Sequence, residues 1–208
     1  MYESFEKIFS PDSRLSKLPL VRASFQSPHV GLSELFARFG GVSFNSALYR
    51  VMTPGAVDQW EGLVCDAFPQ FAGRISPFSY DWLGRVFAVD SSRKEKDGYG
   101  VVLLEPGTGE VLEIPCGLRS FHDEELVGHR DEALAESFHE RWLNIGGGIP
   151  TRTQCVGYKN PLFLGGKDTV SNLEIVDIDV YWTLFGSLIR KTKGLPAGTR
   201  VGAIKLTE

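Results

Sequence analysis

A chain of 208 residues with 42% hydrophobic and 23% charged side chains is ordinary globular material, enough for one large or two small cores, and disorder over most of its length is excluded. A net charge of −4 provides no general basic field for gripping phosphates, so direct nucleic-acid binding is not expected and a basic partner is the easier fit. No apolar run approaches the ~20 residues that cross a bilayer, and the opening MYESFEKIFSPD lacks the cationic-then-apolar pattern of a secretory leader. Cys65, Cys116 and Cys155 are odd in number and far apart, which disfavours a disulfide framework or a thiolate zinc site and makes the cytoplasm the expected location.

In chain order, a short helix is expected at Tyr2–Phe9, followed by a proline-interrupted segment and a helix from about His29 to Phe39 that stops at Gly40-Gly41. Thr53 and Pro54 announce the next helix, on which Val57, Trp60, Val64 and Phe68 recur at helical spacing until Pro69. Between Arg74 and Pro115 the period changes to that of strands, at Arg74–Phe78, Trp82–Val89, Tyr99–Leu104 and Val111–Ile114, an antiparallel meander in which the charged run Ser91–Asp97 reads as a solvated loop. Residues 120 to 144 are helical with a break expected near Gly128, burying Leu134, Phe138 and Trp142, and the triple glycine 146–148 reads as a helix stop. A strand Gln154–Tyr158, a glycine-rich loop, a strand Leu173–Val176, a helix Asp179–Thr192 and a last strand Arg200–Leu206 complete the chain. Helices and strands do not alternate strictly, so the expected fold class is α+β, an antiparallel sheet packed with helices in a single body.

Candidate chemistry is sparse. His29, His122, His129 and His139 are the side chains able to act near neutral pH without a large shift. Glu136 and His139 stand at the spacing of a di-iron helix, but a second such pair is missing, and His139-Glu140 does not continue to a second histidine because residue 143 is Leu. No nucleophile elbow is present, and Cys65 reads as a small buried hydrophobe. Asp81, Arg85 and Asp90 read as structural: Asp81 precedes a Trp-Leu-Gly turn whose N–H groups it can accept from, and Arg85 can pair with an acid. Gly166-Lys167 is not a phosphate loop, since Asp168 follows the lysine and Pro161, which has no N–H, occupies the first-glycine position. Glu132, Glu136 and Glu140, four residues apart, would share an exposed face of one helix.

From Gly157 to Trp182 the chain reads GYKNPLFLGGKDTVSNLEIVDIDVYW. This stretch resembles the C-terminal signature of immunity proteins paired with type VI secretion DNase effectors. The matching positions are Gly157, Tyr158, Lys159, Pro161, Phe163, Leu164, Gly165, Gly166, Asp168, Asn172, Glu174, Asp177, Val180, Tyr181 and Trp182. A second block, from Phe39-Gly40-Gly41 through Leu48-Tyr49-Arg50-Val51, Trp60 and Phe68-Pro69 to Phe78–Arg85 and Asp90, is similar to the GAD-like N-terminal part of that family, with Ala47 where glycine is expected.

The resemblance implies two parts, 1–115 and 116–208, packed as one unit. It also implies a non-enzymatic protein, without metal or cofactor, that neutralises a cognate secreted toxin by blocking or distorting its active site. A DNase presents a basic groove, so Glu132, Glu136 and Glu140 become candidate contacts, with Tyr158, Phe163, Tyr181 and Trp182 as aromatic anchors wherever they reach the surface. Two other readings stay open: an enzyme acting on a small molecule or nucleotide through Asp81, His122 or the glycine loops, and an adaptor or scaffold with no toxin partner.

Overall fold

The expected meander is the spine of the molecule. In a computed structural model, which describes residues 2–12, 29 and 31–195, six strands run in sequence order, each antiparallel to the next. They are β1 (Ser43–Phe44), β2 (Tyr49–Val51), β3 (Ile75–Asp81), β4 (Val86–Glu95), β5 (Gly98–Glu105) and β6 (Glu110–Gly117). A separate two-stranded ladder pairs β7 (Gln154–Tyr158) with β8 (Leu173–Asp177). The fold class is α+β, and one continuous apolar core runs from Tyr2 to Ile189. No helix among the described residues is long and apolar enough to cross a membrane.

Helices pack against both sides of the sheet. On one side α1 (Glu3–Ile8) and α2 (Leu32–Phe39) meet a helical run made of α4 (Leu118–Ser120), a π-helical turn (Phe121–Glu125) and α5 (Leu126–Gly128). The wide π turn lets two consecutive side chains, Phe121 and His122, both point inward. They join Phe5, Tyr49 and Phe87 in an aromatic cluster whose neighbouring ring centroids lie 5.0–6.2 Å apart. The first residues are tied down from far along the chain, because the Asp123 carboxylate accepts from the N–H groups of Tyr2, Ser4 and Phe5. That carboxylate both satisfies orphan donors and complements the helix dipole of α1.

On the other side lie α3 (Val57–Ala67) and α8 (Ile178–Thr192). Trp60 of α3 stacks on Tyr80 at 5.1 Å, and the two helices approach so closely that a side chain at Gly186 would lie 3.0 Å from Ala67. Near Arg50 the sheet buries a cation. Its guanidinium donates to the carbonyls of Thr151, Gln154 and Asp81 and lies 4.3 Å from the Tyr80 ring centroid.

Several sequence expectations need correction. β1 and β2 have no sequence signal, since they are too short to show a period and are buried on both faces. Ser91–Asp97 is not a solvated loop: β4 continues to Glu95, Arg93 reaches the Val101 carbonyl and Glu95, and Asp97 accepts from the N–H groups of Gly117 and Ser120 at the start of α4. Polar composition marks that run as loop, whereas its charges fasten the β4–β5 turn to the β6–α4 junction. Thr53 makes no side-chain cap; a 3₁₀ turn Pro54–Ala56 leads into α3 instead. The second helix begins at Leu32 rather than near His29, and the strand expected at Arg200–Leu206 lies outside the described residues. Ala47, where glycine is expected, has φ 64° and closes a left-handed run through Asn45 and Ser46. The expectation of glycine therefore has a physical basis, since that region disfavours a Cβ. The strained run is clasped by Asp12, which accepts from the N–H groups of Ser46 and Ala47, and by His139, which bonds the Ser46 carbonyl.

Candidate partner-binding surface

Residues that looked like a binding motif mostly build a joint. The turn between β3 and β4 is closed by Asp81, whose carboxylate accepts from the N–H groups of Leu83 and Arg85 and from the Arg85 guanidinium at 2.6 Å. From this turn four bonds reach the later part of the chain. Trp82 Nε1 donates to the Leu134 carbonyl at 2.9 Å, Arg85 to the Ala133 carbonyl at 3.0 Å, Trp182 Nε1 to the Gly84 carbonyl at 2.8 Å, and the Val156 N–H to the Trp82 carbonyl at 2.7 Å. Gly84, at φ 74°, leaves no room for a Cβ, which would sit 2.8 Å from Cys155 Sγ. The two blocks singled out in the sequence thus meet here.

The glycine-rich loop is organised by one buried side chain. Asn172 accepts from the Asn160 N–H at 3.0 Å and donates to the carbonyls of Asn160 and Lys167 at 2.9 and 3.0 Å, which satisfies the amide and pins both ends of the loop. Tyr158 donates to Asp168 at 2.7 Å, and Asp177 caps α8 by accepting from the N–H groups of Asp179 and Val180. A Cβ at Gly166 would collide with the Asn160 carbonyl at 2.0 Å. The segment needs these residue types in order to fold.

The structure disposes of the predicted contact residues unevenly. Tyr158, Tyr181 and Trp182 are 5%, 3% and 0% exposed, so the condition attached to them as anchors is not met; each belongs to the core. The cause is tertiary: the Tyr181 hydroxyl accepts from the Tyr158 N–H, and the Trp182 indole is consumed by Gly84. Phe163 is half-buried and lines a groove of about 340 Å³ with Phe68, Val111 and Ile189. Glu132, Glu136 and Glu140 do not form one helical stripe. Glu132 stands on α6 (Arg130–Leu134) and the other two on α7 (Glu136–Asn144), with Ala135 between them at φ 52°. Glu136 is further engaged by Arg130 at 2.9 Å, while Glu132 and Glu140 are exposed.

The Ala135 N–H returns to the Asp131 carbonyl, so Ala135 occupies a left-handed helix-terminating position that glycine fills without strain. Ala135→Gly is expected to raise stability by roughly 0.5–1 kcal/mol. Urea unfolding checks this, and a lower midpoint would show that the methyl packs better than the backbone suffers.

The residues nominated for catalysis are committed elsewhere. Asp81 and His122 are fully buried. Carbonyl oxygens only accept, so His122 Nδ1 carries the proton given to Leu118, and Nε2 accepts from the Tyr49 hydroxyl, both at 2.8 Å. Burial raises the thiol pKa of Cys65 to about 11 and of Cys116 to about 12, which keeps both protonated at neutral pH. Cys65 is half-buried rather than fully enclosed. Among the described residues no group of three or more His, Cys, Asp or Glu side chains is placed to hold a metal ion.

One surface feature escaped the sequence. After α7 the chain turns on Gly146–Gly148, with Gly147 lying against the Trp142 ring and Trp142 Nε1 donating to the Gly148 carbonyl at 2.9 Å. The helix does stop at this glycine run. The turn also presents Ile145 (61% exposed) and Ile149 (48%), and beside Gly148 stands Ile175 of β8 (36%). No periodicity marks the two isoleucines of the turn as exposed, so only the fold reveals them.

Residues 129–189, comprising α6, α7, the ladder and most of α8, match the family model described as T6SS immunity protein Tdi1, C-terminal. This segment is similar to the Tdi1 C-terminal family. The matching segment includes the glycine-rich loop, the broken acidic helices and the exposed isoleucines, and it is fastened to the preceding sheet by the Asp81–Arg85 turn. The fold as a whole is similar to the crystal structure of Atu4351 from Agrobacterium tumefaciens, with a TM-score of 0.51 over 89% of this chain and 88% of that chain at 17% identity. A likeness at that identity speaks for the fold alone. No curated protein sequence matches the chain significantly.

Proposed function

We propose that the chain is an immunity protein of the type VI secretion system that binds and neutralises a cognate toxin without catalysing a reaction. The observation that carries this reading is the Tdi1-family match over residues 129–189, a segment integrated into the core rather than appended to it. Residues 1–115 form the GAD-like part in this reading, and 116–208 the immunity-family part. The fate of Asp81 and His122, both enclosed and hydrogen-bonded, supports binding over catalysis.

The toxin in this reading is a DNase. Such an enzyme must present basic side chains to DNA, and a chain of net charge −4 is suited to meet them. Neutralisation follows from covering or distorting the toxin's active site, and it takes place in the cytoplasm, where the chromosome is. Co-expression with the product of the adjacent reading frame tests the proposal. Rescue of growth together with a stable complex is expected; growth arrest with no complex would end it.

A further inference from the structure

Arg50 carries a charge into the protein without a carboxylate to balance it. Its side chain is 2% exposed, and the groups that receive its protons are the carbonyl oxygens of Thr151, Gln154 and Asp81, which are neutral. Nε has no hydrogen-bond partner among the described residues. The carboxylates of this region are committed elsewhere: Asp81 to Arg85 and the turn N–H groups, Asp12 to the Ser43 hydroxyl and the N–H groups of Ser46 and Ala47. Enclosing a guanidinium in this way is costly unless a counter-charge offsets the lost hydration.

The same side chain lines a cavity of about 10 Å³ together with Gly41, Ser43, Tyr80 and Arg152. Arg152 brings a second guanidinium to it. That group donates to the Gly41 carbonyl, and its Nη1 would lie 2.9 Å from a Cβ at Gly41, so the close approach depends on the glycine. The volume is that of about one water-sized centre, too small for phosphate, sulfate or a nucleotide. Guanidinium groups donate and cannot accept, so the cavity selects an acceptor. A water could accept from Nε but would leave the charge in place. A monatomic anion receives a charge-assisted hydrogen bond and also cancels part of the field. That field reaches His139, whose imidazole pKa is lowered first by burial and further by Arg50.

We infer that Arg50 and Arg152 bind one chloride ion in this cavity, with Arg50 Nε as the buried donor. Arg50 stands on β2 and holds the carbonyls of Thr151 and Gln154 at the entry to β7. An ion that neutralises it therefore helps to fasten the β7–β8 ladder to the six-stranded sheet. The inference is independent of the immunity reading.

Thermal unfolding of the full chain in sodium chloride and in sodium gluconate, each at an ionic strength of about 0.15 M, separates binding from screening, because gluconate is too large for the cavity. Chloride is expected to raise the melting temperature by roughly 2–5 °C, with a saturating dependence on its concentration. Arg152→Gln keeps a donor for the Gly41 carbonyl but not the charge, and should lose most of that shift. A crystal soaked in bromide gives the position, with an anomalous peak expected within about 3.5 Å of Arg50 Nε. Equal melting temperatures in the two salts, a chloride shift undiminished in Arg152→Gln, or bromide bound only elsewhere with an ordered water at Nε would each overturn the assignment. If Arg152→Gln does not fold, the wild-type salt comparison and the bromide position decide on their own.

Discussion

Arg85→Met is expected to cost about 3–5 kcal/mol, the range for removing one partner of a buried ion pair, and to lower the melting temperature by roughly 6–20 °C in a protein of this size. Asp81 has 0% exposure, and its counter-charge is the guanidinium 2.6 Å away. Burial drives the Asp81 carboxyl above its usual range while Arg85 pulls it down, so the methionine variant removes the interaction that keeps the charge tolerable. The substitution also releases the Ala133 carbonyl at the end of α6 and so loosens the joint to the segment that matches the Tdi1 model. The double variant Asp81→Asn/Arg85→Met separates these effects. The introduced asparagine retains an acceptor for the backbone N–H groups of residues 83 and 85 but carries no charge, so it should recover much of the loss. Urea unfolding of the three proteins gives the comparison. If the double variant is no better than the single, the loss comes from packing and the α6 contact rather than from an uncompensated carboxylate.

That joint also shows how far the sequence could be read. Asp81 before Trp-Leu-Gly announces a capped turn, and the turn is there with both N–H bonds made, because an Asx turn depends on residues within reach of one another. The same holds for α8 and the β7–β8 ladder, whose strong periodicity and local capping by Asp177 place them within a residue or so of expectation. What sequence could not supply was direction. Tyr158, Tyr181 and Trp182 are equally suited to a core or to an interface, and the inward orientation of Trp182 follows from a Gly84 carbonyl nearly a hundred residues away, that of the tyrosines from the bond between the Tyr158 N–H and the Tyr181 hydroxyl. The broken acidic helix is a similar case. Glu132, Glu136 and Glu140 have helical spacing, yet Ala135 takes a left-handed conformation that nothing in an alanine announces. Neither the π turn nor the exposed isoleucines has a local sequence signature, and both depend on what packs beneath them.

Acidification is expected to destabilise the fold between about pH 6.5 and pH 4 through His122 and His139, whose imidazoles have pKa values pushed down to about 4. Burial is the principal cause for both. For His122 the Leu118 carbonyl and Asp123 pull the other way, and for His139 the Ser46 carbonyl and Asp12 do, with Arg50 adding to the depression. In this window the unfolded chain binds protons that the folded chain refuses, so stability is full above the unfolded pKa and falls as the pH drops. His122, fully enclosed, withdraws about 3 kcal/mol once the pH lies below the folded value, and His139, less deeply buried, withdraws less. Protonation at His122 is also structurally disruptive, because Nε2 would become a donor facing the Tyr49 hydroxyl that now donates to it. Asp81 and Glu105, shifted upward by burial, titrate with the opposite sign, so the wild-type profile alone does not isolate the histidines. His139→Gln does, since a Gln amide can still donate to the Ser46 carbonyl, bonded at 3.2 Å in the parent, but takes up no proton. Its unfolding free energy should fall less steeply from pH 6.5 to 4 than that of wild type, while the two converge in shape at neutral pH. Parallel profiles, or an imidazole of residue 139 seen by NMR to titrate near its ordinary value, would show that His139 is solvated and that the clasp on the Asn45–Ala47 turn is open in solution.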